Sequence, residues 1–188
     1  SITLCFTYMR DCYIQNTLEI LDNVYEWCSH SYNKKIEIVI NDWGMLKILE
    51  DKSQFFSISL GVLLNKRKKD SRYVYKKGYI ENRNLMAENS LNSSIFQEFL
   101  KEYKINRYEY ENCGYKISIA EGKHSLQMPF YVTNTSQYCP LYAMCKNLDR
   151  GKQELVKACP KYCKDYVFAY PEHLKMTGRY NSLFAFDE

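Results

Sequence analysis

Three short apolar runs near the start of the chain constrain its fold more than any other feature. The first, ITLCFTY at residues 2–8, is rich in β-branched and aromatic residues and reads as a buried strand. The second is IEIVI at 36–40, and the third is FSISL at 56–60, closed by Gly61. Between the first two, Leu18, Leu21, Val24, Tyr25 and Cys28 recur at helical spacing, with Asn16 placed to cap and Glu19 three residues on. A shorter helix is expected over 43–50. Strand, helix, strand, helix, strand with short connections predicts a parallel sheet with helices packed outside it.

The rest of the chain is less regular. Residues 65–77 (NKRKKDSRYVYKK) are strongly basic and read as an exposed loop. Residues 89–94 lead into a helix at 95–103, and strands are expected at 107–111, 116–120, 127–135 and 166–170. With no repeat, linker or low-complexity tract, the chain reads as one domain over 1–188. A closed eight-stranded barrel typically needs about 250 residues. The fold class expected is therefore α/β: a partial, incomplete TIM-barrel-like domain, or a shorter open one, with a C-terminal cysteine-rich loop.

That loop carries the chemistry. Cys139, Cys145, Cys159 and Cys163 follow C-x5-C-x13-C-x3-C within YCPLYAMCKN and KACPKYCKDY. Four thiolates within one short stretch suit Zn²⁺ or an iron–sulfur cluster. Disulfides and unconnected buried thiols are the alternatives, since the total of 8 Cys is even. Cys113, beside Gly114, reads as a turn or core thiol, and Cys28 falls on an apolar helix face. Residues 1–12 lack a basic leader and a small-residue cleavage motif, so free thiols in a reducing cytoplasm are expected.

Composition excludes a few classes. At 46% hydrophobic and 26% charged the chain is globular rather than disordered. No apolar run approaches the ~18 residues that a spanning helix needs. The net charge of +4 is too small to imply nucleic acid by itself. His30, His124 and His173 are scattered, and no Ser-His-Asp set, zinc-protease motif or phosphate-binding glycine loop occurs.

Two further groups are candidate site residues. Asn41 and Asp42 end the second strand, where barrel enzymes place working groups. The same pair serves well as a cap for the next helix, and both roles can coexist. Lys66, Arg67, Lys68 and Arg72 follow the third strand and suit an anionic metabolite or a phosphate backbone. Tyr73 and Tyr75 beside them favour RNA slightly; a solvated charge run is the bland reading.

Three segments together resemble the peptidase U32-like proteins: IEIVINDWGML at 36–46, SLGVLLNKRKKDSR at 59–72 and MPFYVTNTSQYCP at 128–140, followed by the late C-x13-C-x3-C. The resemblance covers residues 1–165 or so. It implies a TIM-barrel-like fold and an oxygen-sensitive [4Fe–4S] cluster on four cysteines, with zinc as the alternative. It implies oxygen-independent hydroxylation of ubiquinone precursors or RNA bases, with prephenate as oxygen donor, and pairing with a second U32-like subunit or a like copy. Other relatives are described as collagenase-like peptidases, for which the residues here give no support. The chain departs from the pattern in three ways. N-terminal barrel strands are missing, Val62 stands where a basic residue is common, and an upstream ligand (Cys5, Cys12 or Cys28) can replace Cys139.

Overall fold

The computed structural model describes residues 2–71 and 78–187. The chain divides into two compact units. The first comprises residues 1–67, 88–110 and 118–126, and the second 68–87, 111–117 and 127–188.

The elements run β1 (Thr3–Cys5), α1 (Ile14–Trp27), β2 (Ile36–Ile40), α2 (Gly44–Leu49), β3 (Phe56–Leu60), α3 (Gly78–Glu81), α4 (Arg83–Ala87), α5 (Ser94–Glu102), β4 (Arg107–Glu111), β5 (Lys123–Gln127), β6 (Phe130–Thr135), α6 (Pro140–Asn147), β7 (Phe168–Ala169), β8 (Met176–Arg179) and β9 (Ser182–Phe186). Five strands form a sheet in the order β1-β2-β3-β4-β5. The β1–β2, β2–β3 and β3–β4 pairs are parallel. Consecutive parallel neighbours joined by helices form the half-barrel expected from the alternation of elements.

Register explains the core of the first unit. Ile36 lies beside Phe56, Ile40 beside Leu60, and Leu60 beside Tyr108, so these residues share one face. All are buried, as are Leu21 of α1, Cys28 in the π-helical turn that continues it, Met45 and Leu49 of α2 and Leu100 of α5. Burying each such side chain contributes about 2 kcal/mol. The other face is largely polar. The Glu37 carboxylate accepts from Thr3 Oγ1 at 2.8 Å and from Ser59 Oγ, and pairs with Arg107. Arg107 also donates to Ser125 Oγ at 2.8 Å. Most parallel sheets are apolar on both faces; in this one the second face is largely polar, with the buried Val39 among its residues.

Four sequence expectations are corrected. Helix α1 begins at Ile14, after a 3-10 turn at Asp11–Tyr13, so Asn16 sits inside the first turn and Tyr13 precedes it. The segment 116–120 is not a strand: Asn89 Nδ2 donates to Ser118 O at 2.8 Å and Ala120 N to Tyr110 Oη at 3.0 Å. Side chains there satisfy the backbone in place of a ladder. The strand expected over 127–135 begins only at Phe130, as β6, while Gln127 ends the separate strand β5; Met128 and Pro129 lie between, since proline has no N–H to give the ladder. The cysteine segment is not all loop; it contains α6, started by Cys139 and Pro140.

The second unit contains an antiparallel sheet in the order β6-β9-β8-β7. A β-bulge interrupts β6 between Val132 and Asn134. Its core gathers Cys113, Tyr131 and Ala185, with Tyr115 and Met176 against them. Beside this core, the buried Glu111 pairs with Lys69 and accepts from Val132 N at 2.6 Å. No helix among the described residues is long and apolar enough to cross a membrane.

Candidate functional site

Asn41 is buried at the C-terminal end of β2. Its Nδ2 donates to Phe6 O at 2.9 Å, in the loop after β1, and weakly to Cys5 Sγ at 3.8 Å. Its Oδ1 accepts from Leu63 N at 2.9 Å, in the loop after β3. One side chain thus ties three consecutive strand ends together. Asp42 does related work: Oδ1 accepts from Gly44 N at 2.7 Å at the start of α2, and Oδ2 from Met9 N at 3.1 Å. The Asp42–Gly44 bond closes a local turn just ahead of α2, whose cap residue is Trp43 and has no side-chain capping bond. Gly61 makes the arrangement feasible, since a Cβ there would stand 2.3 Å from Asn41 Oδ1. Asn65, in the same loop, is buried, and its Oδ1 has no hydrogen-bond partner among the described residues.

The basic stretch is shared between the units. Lys66 and Arg67 belong to the first. The Lys66 backbone pairs with Ser90, donating to its Oγ at 2.8 Å and accepting from its N at 2.9 Å, which leaves the exposed ammonium for solvent or ligand. Lys68 belongs to the second unit, is exposed, and its carbonyl accepts from Tyr115 Oη. Lys69 is not a free cation, because it serves Glu111. Arg72, Tyr73 and Tyr75 lie outside the described residues.

The four late cysteines all lie in the second unit, and none is in a disulfide. Cys139 caps α6, its Sγ accepting from Tyr142 N at 3.4 Å and donating to Tyr180 O at 3.2 Å. Cys145 follows within the same helix. Cys163 lies in the 3-10 turn Tyr162–Lys164, which packs on α6 with the Tyr142 and Tyr162 rings 6.2 Å apart. Cys159 is exposed, and its Sγ accepts from Lys161 N at 3.4 Å. Backbone N–H groups directed at sulfur stabilise negative charge on it and tune metal–thiolate centres. The donor chemistry suits a metal, yet among the described residues no three His, Cys, Asp or Glu side chains are gathered closely enough to hold one.

The upstream alternatives behave differently. Cys5, Cys12 and Cys28 belong to the first unit. Burial pushes the Cys28 thiol up from its ordinary pKa. Burial, then the neighbouring Glu109 carboxylate, does the same for Cys5. Both effects disfavour the thiolate that a metal requires.

A third feature had no counterpart in the sequence reading. Asn134, Arg150, Gln153 and Tyr170 border a cleft of about 360 Å³ in the second unit, with Pro140 and Leu183 supplying apolar wall. These residues span five separate stretches of chain, so no local motif announces them.

No protein-family model, characterised protein or solved structure matches the chain.

Proposed function

We propose that the chain is an iron–sulfur protein of the U32-like type, carrying its metal on Cys139, Cys145, Cys159 and Cys163 and supporting oxygen-independent hydroxylation of a small molecule or RNA base. The observation that carries the metal reading is the state of the sulfurs. All four thiols are free in one unit, and two of them, Cys139 and Cys159, already accept backbone N–H bonds. The half-barrel of consecutive parallel strands supports the TIM-barrel-like reading of the first unit. Asn41 and Asp42 shape the strand ends on the side where such folds receive substrate, and Lys66 and Arg67 supply positive charge in the loop after β3. The link to hydroxylation itself rests on the sequence resemblance.

Among the described residues no three such ligands are gathered, so metal binding is expected to draw the four cysteines together as it occurs. Protein purified without oxygen should contain iron and acid-labile sulfide in equal amounts, with a broad absorption near ~400 nm. Cys159→Ser should abolish the cluster and lower the melting temperature of the reconstituted protein to that of the metal-free form. Iron and absorbance unchanged in Cys159→Ser would remove that ligand assignment; a colourless protein holding one zinc would replace the cluster with a structural site.

A second reading has its own support. Strand β1 has a neighbour only on its β2 side among the described residues, and Thr3 and Cys5 are exposed. An open parallel edge suits an accessory subunit or binding module that completes a partner's sheet. Sedimentation of the metal-loaded chain as a monomer across a wide concentration range, alone and with a candidate partner, would count against it.

A further inference from the structure

We propose that the cleft bordered by Asn134, Arg150 and Tyr170 in the second unit binds a small organic acid, with the Arg150 guanidinium holding its carboxylate. The volume of about 360 Å³ lies at the small end of the range for ligand sites, roughly 300–1,000 Å³. Its polar lining combines one cation, Arg150, with neutral amides and hydroxyls, and no carboxylate is among the lining residues. Such a wall attracts an anion and offers amides and a hydroxyl to its hydroxyl or carbonyl groups. Pro140 and Leu183 give the carbon skeleton a surface to rest on.

The key groups are both available and held. The side chains of Asn134, Arg150 and Tyr170 have no hydrogen-bond or ion-pair partner among the described residues, so nothing competes with a ligand for them. The backbone that carries Arg150 is nonetheless fixed. The Asp149 carboxylate accepts from Gly151 N at 2.8 Å, Lys152 N donates to Asp149 O at 3.2 Å, and Gln153 Nε2 donates to Arg150 O at 3.2 Å. Asn147 Nδ2 ties this turn to the end of α6 through Lys152 O at 3.3 Å. Opposite, Asn181 Nδ2 bonds Ser136 O, and Ser136 Oγ accepts from Tyr138 N at 3.0 Å, fixing the other wall. Fixed walls with unengaged functional groups lower the ordering cost of binding. A carboxylate meets a planar guanidinium through two parallel N–H donors, which makes Arg150 the anchor.

Pro140, Arg150 and Gln153 lie within the 139–163 cysteine segment, so the test is run with and without metal. The test is titration calorimetry on the full chain with malate, citrate and 2-oxoglutarate, against inorganic phosphate and neutral glycerol. At least one acid should bind with a Kd below about 1 mM. Arg150→Ala should weaken it about tenfold or more and Arg150→Lys less, since the lysine keeps charge but not the fork. Melting temperature should change little in Arg150→Ala, because its side chain makes no hydrogen bond or ion pair among the described residues. Binding of no acid, or binding indifferent to Arg150→Ala, overturns the site. Phosphate bound more tightly than every acid overturns the carboxylate assignment.

Discussion

Replacing Glu111 with Ala should destabilise the second unit by about 3–5 kcal/mol, the range found when one partner of a buried ion pair is removed. The Glu111 side chain is 2% exposed and that of Lys69 12%. Removal of the carboxylate leaves the Lys69 ammonium buried without its counter-ion and the Val132 N–H without the acceptor now at 2.6 Å. Each consequence is costly, because both groups lose their partner where little water reaches them. Denaturant unfolding of Glu111→Ala and of the double variant Glu111→Leu, Lys69→Met should separate the two contributions. The double variant should recover most of the loss, since it buries no unpaired charge. A single variant that loses less than about 1 kcal/mol would show that Lys69 turns to solvent at little cost.

Gly61→Ala should cost about 2–4 kcal/mol, combining overpacking with loss of Asn41 hydrogen bonds. The added Cβ would lie 2.3 Å from Asn41 Oδ1, 2.5 Å from its Cγ and 2.6 Å from its Nδ2. Asn41 has no room to yield, because it is held at both ends by Phe6 O and Leu63 N. The measurement is a double-mutant cycle with Asn41→Ala. Asn41→Ala alone should be destabilising, and Gly61→Ala added to it should cost much less than in the parent. Strict additivity would mean that Gly61 is required for a reason other than this side chain.

Much of the first unit was legible in the chain. IEIVI, FSISL and RYEYE at 36–40, 56–60 and 107–111 are the strands β2, β3 and β4, because β-branched and aromatic runs bounded by turn residues have few other solutions. The second unit was legible only in part: β6 and β7 fall within the strands expected at 127–135 and 166–170. Its β8–β9 hairpin, formed by residues 176–179 and 182–186, turns at Tyr180 with φ 55°. No glycine or Asn-Gly pair signals that turn, so the tail gave no clear pattern. The cysteine segment concealed a helix because Cys139 acts as its cap, a role its residue type does not advertise. Asp42, read as a possible cap, instead bonds Gly44 N in a turn just before α2, whose cap residue is Trp43. Asn41 was read as a cap or a working group, whereas its observed partners lie 22 and 35 residues away.

The sequence by itself determined the alternation of strand and helix, the half-barrel that follows from it, and the four thiols confined to one short stretch. Those properties depend on residue type and short-range spacing, which the chain displays directly. Only the tertiary structure decided that one sheet face is largely polar, with Glu37 matched to Arg107. It likewise removed Lys69 from the basic stretch by setting it on Glu111, and assembled the cleft around Arg150 from segments between Asn134 and Leu183. Each of these joins side chains far apart in sequence, and such partners become readable only when the chain has folded and brought them within hydrogen-bonding distance.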